Sequence, residues 1–503
     1  MQIPVIDIFA GPGGLGEGFS ALGQTQGAPY FRVALSVEKD SVAHQTLELR
    51  AFFRQFRHNL APEEYYAFLR GELDRQELFR AYPDEAQAAK DHAWHAELGT
   101  PEVDATIDGR ISKAVAGHEK WVLIGGPPCQ AYSLIGRARN SKQREKADKD
   151  VRNILYIEYL NIVARYRPAV FVMENVKGML SSRVDGHRIF DRIIADLERP
   201  SEGTRYRIFS LVKKGLAQCG SQYSPEDFIV ECEQYGVPQA RHRVILLGIR
   251  EDLAEKRIPG ILRKAETVTV SDVLRGLPPV RSGLSRNMDD PDLWAEMVRQ
   301  GTDRRWLKGA RRIGGNAVAE RLESVLSSVE VPDFDRGGEF LPCSSNVSEN
   351  LAWWYHDSRL NGVCNHMART HIIKDIYRYA YASCFGEIWG RSPLLREYPP
   401  DLLPEHKNAK TGHFEDRFRV QIFDKPSTTV TSHMSKDGHY YIHPDPAQLR
   451  SLTVREAARL QTFPDNYFFC GNRTQQYVQV GNAVPPLLAY QIAEIVRDLL
   501  EKV

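Results

Sequence analysis

Cysteine is scarce in this 503-residue chain: seven residues, an odd number, scattered and without a CxxC pair. That argues against a disulfide framework or a structural zinc site, and no metal is expected. Any cysteine with a special task should therefore be one whose reactivity matters. No apolar run approaches the roughly 20 residues of a membrane-spanning helix. The opening segment MQIPVIDIFAGPGG lacks the basic start and cleavage site of a secretory signal. No membrane partner is expected, and a cytoplasmic location is the default. Charge of one sign is also missing: the net value is +1, so the whole-chain balance does not announce a nucleic-acid partner. Internal repeats and low-complexity tracts are absent. With 42% hydrophobic and 26% charged residues, disordered, collagenous and fibrous classes are not favoured.

What is present suggests an α/β protein. Short, continuously apolar runs at Val5 to Phe9, Trp121 to Ile124, Ala169 to Met173 and Val244 to Ile249 read as strands buried on both faces. Helical stretches such as Ile154 to Tyr166 and Arg188 to Leu197 lie between them, giving the alternation of a doubly wound, mostly parallel sheet. Residues 41–100 interrupt it as a helical insertion. From about 256 to 439 the alternation is lost, and the segment reads as a second domain. Regular structure returns near Thr453, where Thr at N-cap and Glu456 at N3 predict a capping box opening the helix Val454 to Thr462. A last amphipathic helix is predicted over Pro486 to Lys502. The division expected is a catalytic domain over 1–255, a second domain over 256–439 and a segment over 440–503 that completes the first.

Four motifs fall at strand ends. Gly11-Pro-Gly13-Gly14-Leu-Gly16 follows the first strand in the manner of a nucleotide loop, and Glu38 ends a second strand where a carboxylate can accept both ribose hydroxyls of an adenosine. Loop and acid together fit NAD, FAD or S-adenosylmethionine equally well. Gly125-Gly-Pro127-Pro128-Cys129-Gln130-Ala-Tyr-Ser133 places a cysteine in a stiff loop just past a strand, where open α/β sheets keep their ligands. Met173-Glu174-Asn175-Val176-Lys177-Gly178 puts a carboxyl group, a candidate proton donor, at the same edge. Arg241-His-Arg243 precedes its strand, so these arginines reach that edge only if Val244 to Ile249 runs antiparallel to its neighbours. A strand around Tyr206 to Val212 can supply the reversal. Two basic clusters, residues 137–152 and 299–312, can contact phosphates or simply face solvent.

The ordered set DIFAGPGG, VEKD, GGPPCQAYS, MENVKG, YGVPQARHRV, RLQTFPDNY and QVGNAVPP resembles the DNA cytosine-5 methyltransferase family, bacterial type, over residues 1–40, 121–250 and 450–503. The resemblance implies the S-adenosylmethionine-dependent methyltransferase fold, with residues 256–439 in the place of the target-recognition domain. It implies S-adenosylmethionine as methyl donor, held by Phe9, Gly11, Gly13, Gly14, Glu38, Pro127 and Asn482. Cys129 would be the nucleophile, Glu174 the group at cytosine N3 and Arg243 a contact to O2, with Arg241 beside them. An acidic residue near the cofactor adenine belongs after the third strand, and Asp104 and Asp108 both lie in a suitable place.

The chemistry explains the set. Carbon 5 of cytosine is a poor nucleophile, so a thiolate adds at C6 while an acid protonates N3, building an enamine that can attack a methyl sulfonium. The base must leave the helix first. Double-stranded DNA is the expected partner, met by Gln130, Ser133, Arg304, Arg305, Lys308, Arg311 and Arg312, with the enzyme acting as a monomer and a separately encoded restriction endonuclease as a further partner. A dinucleotide oxidoreductase would leave PPCQ, ENV and QARHR unexplained. A tRNA cytosine-5 methyltransferase shares PPCQ and ENVKG but usually lacks a long recognition region, and a non-catalytic DNA-binding module would not need every catalytic position filled.

Overall fold

A mixed sheet organises the first half of the chain. The computed structural model describes residues 2–24, 29–57, 60–128, 151–184, 187–214, 216–217, 224–285, 289–303, 305–405 and 415–501. The strands of the main sheet are β1 (Ile3–Ile8), β2 (Phe31–Glu38), β3 (Ala93–His95), β4 (Val122–Gly125), β5 (Val170–Val176), β6 (Tyr206–Phe209), β7 (Leu216–Ala217), β8 (Ile229–Glu231) and β9 (His242–Arg250). Their order is β3-β2-β1-β4-β5-β9-β6-β7, with β8 pairing the start of β9. From β3 to β5 every pairing is parallel. β9 is antiparallel to β5 and to β6, the reversal that the position of Arg241-His-Arg243 requires.

The central strands carry unbroken apolar runs because helices cover both faces. On one face the helices Gly14–Ala21 and Pro486–Glu501 bury Phe19, Leu488, Ile492 and Val496 against Val5, Val122 and Ile245. On the other, Ile111, Tyr159 and Ile193 from the helices Ile107–Val115, Val151–Tyr166 and Ile189–Glu198 pack on Ile6, Leu123 and Phe171. Each such side chain, fully buried, is worth about 1.5–3 kcal/mol.

The stretch over 41–100 holds four helices, Ser41–Phe53, Glu63–Leu69, Arg75–Ala81 and Pro83–His92, and then the edge strand β3, which the sequence reading had missed. Its first helix is tied to the nucleotide-type loop by charge: Glu17 meets Arg50 at 2.5 Å and Arg54 at 2.8 Å, all well buried. Burial raises the Glu17 carboxyl, but the two guanidiniums outweigh it and bring the group down to about 2.

Residues 256–439 supply most of one core, around Trp294, Leu322, Tyr379 and Phe418, which Ile442 and Leu449 complete. A second core is shared, with Val270, Val273 and Leu274 packing on Leu452, Ala457 and Phe463. The segment after 440 is thus a bridge: its middle packs on the second region, and its final helix reaches the sheet. The capping box at its start forms as expected, Glu456 N donating to Thr453 Oγ1 at 3.2 Å and Thr453 N to Glu456 Oε2 at 2.7 Å. Among the described residues no helix is long and apolar enough to cross a membrane.

Candidate active site

Because β9 runs against β5, its first residues meet the last residues of β5 at the carboxyl edge of the parallel strands, Arg243 opposite Val176 and Ile245 opposite Glu174. Arg243 Nε lies 2.9 Å from Glu174 Oε1, and both side chains are mostly buried. Next to them runs the segment after β4. A Cβ on Gly126 would come within 2.8 Å of Glu174 Oε2, so the glycine leaves room for the carboxylate over this backbone. Asn175 Nδ2 donates to Pro127 O at 3.2 Å and ties the same segment to the end of β5. Cys129, Gln130 and Ser133, which follow, lie outside the described residues, as does most of the basic stretch 137–152.

The described cysteines are poor candidates for a nucleophile. Burial pushes the thiols of Cys232, Cys364 and Cys384 up to about 12, and it raises Cys343 and Cys470 as well. None of the five is in a disulfide.

A second group stands at the ends of β1 and β2. Glu38 receives Gly11 N at 2.7 Å and Asp40 N at 2.8 Å, so one carboxylate closes the loop and caps the turn behind it. Phe9 adopts a left-handed φ of 56°, unusual for a bulky residue, as the chain leaves the sheet. Glu97, the first acid after β3, pairs with Lys39 at 3.2 Å beside Glu38. Asp108, one of the two acids expected here, is taken up by Arg165 and Tyr166, and Asp104 is exposed at the end of the helix Pro101–Asp104. Glu97 thus stands just past β3, a position that went unweighed because β3 was not read as a strand.

Beneath the loop lies Asp7, fully buried, with neither carboxylate oxygen hydrogen-bonded. Burial drives its carboxyl up to about 7, with Arg54 opposing and Glu38 adding to the rise. A raised carboxyl stabilises the fold below its unfolded value of 3.8 and loses that contribution as pH climbs to about 7. At about 1.36 kcal/mol per pH unit, Asp7→Asn should gain on the wild type by about 4 kcal/mol between pH 4 and pH 8. Urea unfolding at both pH values checks this, and a constant difference would show that Asp7 stays ionised throughout.

Arg241 is placed differently from the expectation that grouped it with the catalytic residues. It is only 1% exposed, and it donates to Val430 O at 2.7 Å, Gly481 O at 3.2 Å and Ala483 O at 2.8 Å. A guanidinium turned into three carbonyls has no face left for a base. It grips the chain on either side of Asn482, whose side chain is exposed, and sets the next residue, Val484, against the glycine loop. A Cβ on Gly14 would lie 2.3 Å from Val484 O. Arg241 is thus a positioning residue for the 481–484 turn. Arg241→Ala orphans three carbonyls at about 1–3 kcal/mol each, so a loss of at least roughly 3 kcal/mol in urea unfolding is expected. A loss below about 1 kcal/mol would mean that water replaces the guanidinium without penalty.

Of the basic residues expected at DNA, Arg304 lies outside the described residues. Arg305, Lys308, Arg311 and Arg312 line one open hollow of about 580 Å³ on the helix Trp306–Gly314, with Glu323 opposite and paired to Arg311 at 3.0 Å. Among the described residues one set of side chains is spaced to share a cation, Glu231, Glu233 and His242. His242 Nε2 already bonds Glu233 at 2.8 Å, and Arg241 and Arg243 flank it.

Residues 106–497 match the family of C-5 cytosine-specific DNA methylases. The chain is 32% identical to the type II methyltransferase M.Bpa9945I of Bacillus paralicheniformis, covering 99% of each. It is 27% identical to the type II methyltransferase M.AgeI of Thalassovita gelatinovora, over 77% of this chain and 85% of that one. It is 26% identical to the DNA (cytosine-5-)-methyltransferase M.ApeKI of Aeropyrum pernix, over 77% and 83%. The chain belongs to the C-5 cytosine-specific DNA methylase family and is a DNA (cytosine-5)-methyltransferase.

Proposed function

We propose that the chain transfers a methyl group from S-adenosyl-L-methionine to carbon 5 of a cytosine flipped out of a specific duplex DNA site, with Cys129 adding at C6. The observation that carries this reading is the Glu174–Arg243 pair at 2.9 Å, set against the Gly126–Pro128 segment that leads to Cys129. Glu174 gives a proton to N3 while Arg243 holds O2, so electron density released by thiolate attack collects at carbon 5.

The cradle at the ends of β1 and β2 suits the methyl donor. Glu38 and Glu97 make this edge acidic, and Phe9 offers an apolar face. S-adenosylmethionine, when bound, supplies an electrophilic methyl group on a positively charged sulfur. Glu38 would hold its ribose hydroxyls, Phe9 and Glu97 would flank its adenine, and the backbone of Gly11, Gly13, Gly14 and Pro127, with Asn482, would complete the pocket.

Residues 1–255 with 440–503 would form the catalytic unit, and 256–439 would read the DNA, with its basic hollow on phosphates. Neutralising Arg304, Arg305, Lys308, Arg311 and Arg312 together should flatten the salt dependence of DNA binding by about 0.9 per lost phosphate contact and leave cofactor affinity unchanged. An unchanged slope would make the cluster a solvated surface. A duplex DNA partner, a monomeric enzyme, a separately encoded endonuclease of matching specificity and a place at the cytoplasmic nucleoid complete the reading. Its test is expression in a host without cytosine-5 methylation, followed by bisulfite sequencing. Protected cytosines in one recurring context are expected, and their absence from an expressing culture would overturn the proposal.

A further inference from the structure

The four helices of the insertion over 41–100 supply no residue to the site described above, yet the first of them, Ser41–Phe53, is built against the glycine loop. Gly13 takes a left-handed φ of 98°, and a Cβ there would lie 2.8 Å from Leu47 Cδ1 and 3.0 Å from Tyr467 Oη. The loop backbone therefore meets the insertion and the segment after 440 at one point. From that segment the fully buried Tyr467 donates its hydroxyl to Pro12 O. Arg50, from the insertion, stands with Cζ 4.9 Å from the centre of the Tyr467 ring and 4.1 Å from that of Phe53.

Arg50 joins these contacts into one network. Its Nε donates to Glu17 Oε2 at 2.9 Å, on the helix that follows the loop, and its Nη1 donates to Asn466 Oδ1 at 3.1 Å, beside Tyr467. Asn466 Nδ2 in turn donates to Asp357 Oδ2 at 2.7 Å, where Tyr66 Oη, from the insertion's second helix, donates at 2.9 Å. Glu17, Arg50, Asn466 and Tyr467 are all buried. Such a network is a weak source of stability, since apolar residues of equal volume often serve as well or better. What it supplies is direction, because each hydrogen bond fixes the place of one atom.

We propose that Tyr467 and Arg50 are positioning residues for S-adenosylmethionine, fixing the Gly11–Gly14 backbone in the shape the cofactor needs, and that the insertion is the strut that carries Arg50. The proposal rests on the reading that this loop holds the cofactor. A binding backbone must keep its place to within about 0.5 Å, and the groups that hold it there are the supporting side chains behind it. Tyr467 supports the loop at Pro12, and Arg50 supports both the helix after the loop and the residue next to Tyr467.

The test uses two conservative variants. Tyr467→Phe keeps the ring and loses only the bond to Pro12 O, while Arg50→Lys keeps the charge opposite Glu17 and loses the fork that also reaches Asn466. In titration calorimetry Tyr467→Phe should bind S-adenosylmethionine about 2- to 10-fold more weakly, the worth of one neutral hydrogen bond, and Arg50→Lys more weakly still. In turnover KM for the cofactor should rise, while kcat at saturating cofactor and KM for duplex DNA stay within about two-fold of wild type, the pattern of lost ground-state binding. A residue that only holds the fold together would lower the melting temperature and leave the affinity of the folded protein as it was. Wild-type cofactor affinity in Tyr467→Phe, measured where melting shows it folded, would overturn the proposal, and so would a fall in kcat with KM unchanged. Should Arg50→Lys fail to fold, Tyr467→Phe decides alone. A wild type that binds no S-adenosylmethionine would sink the cofactor reading itself, while a wild type that binds it beside variants that bind it equally would sink the positioning role alone.

Discussion

Cys129→Ala is expected to abolish methyl transfer, a loss beyond about 10⁴-fold, or roughly 5.5 kcal/mol at 1.36 per decade. Binding of S-adenosylmethionine should survive, because the cradle around Phe9, Gly11 and Glu38 is built from other strands. No described thiol can take over. Cys232, Cys364 and Cys384 are fully buried and held far from thiolate formation at neutral pH. A duplex carrying 5-fluorocytosine at the target should trap the wild type covalently, since fluorine blocks the final elimination, and should leave the alanine variant free. Trapping of the variant at the wild-type level would remove Cys129 from its role.

Glu174→Gln should lower turnover by about 10²–10⁴-fold, the usual worth of a positioned proton donor, with cofactor affinity within a few-fold. The substitution also removes the carboxylate that meets Arg243 at 2.9 Å and leaves a guanidinium that is mostly buried without its counter-charge. A stability cost of about 1–3 kcal/mol should therefore accompany it. The two effects are separable, since turnover is read at a temperature where melting shows the variant folded. A folded variant with wild-type turnover would exclude Glu174 as the group that protonates N3.

Period and punctuation made the sheet legible. Runs such as Val170 to Met173 and Val244 to Ile249 carry no polar residue to compete with burial on both faces, and the reversal of β9 followed from requiring Arg243 to reach Glu174. The edge strand Ala93–His95 escaped because three residues, one of them exposed, carry no periodicity. With it went Glu97, while Asp108, one of the two acids considered, is held by Arg165 and Tyr166. Arg241 and Arg243 look alike in a sequence, two residues apart where β9 begins. What separates them is the far end of the chain: Gly481 and Ala483 offer carbonyls to the first and nothing to the second. Only the folded contact between residue 241 and residues 481–483 carries that information. The shared core over Val270 and Ala457 was hidden for the same reason, since apolar residues declare that they are buried but not against what.

The packing of the helix Pro486–Glu501 on the helix Gly14–Ala21 sets the timing of this protein's birth. Gly18 has no room for a Cβ because Pro486 O and Tyr490 N would each lie 2.4 Å away, so a helix made early is fitted to one made much later. About 465 residues separate them, which at 5–20 residues per second is on the order of 20–90 s of synthesis. During that interval the face of Phe19's helix that meets Pro486–Glu501 has no cover, and the glycine loop lacks the wall that residues 481–484 provide. A nascent or prematurely ended chain would thus be inert toward DNA while exposing apolar surface that chaperones recognise.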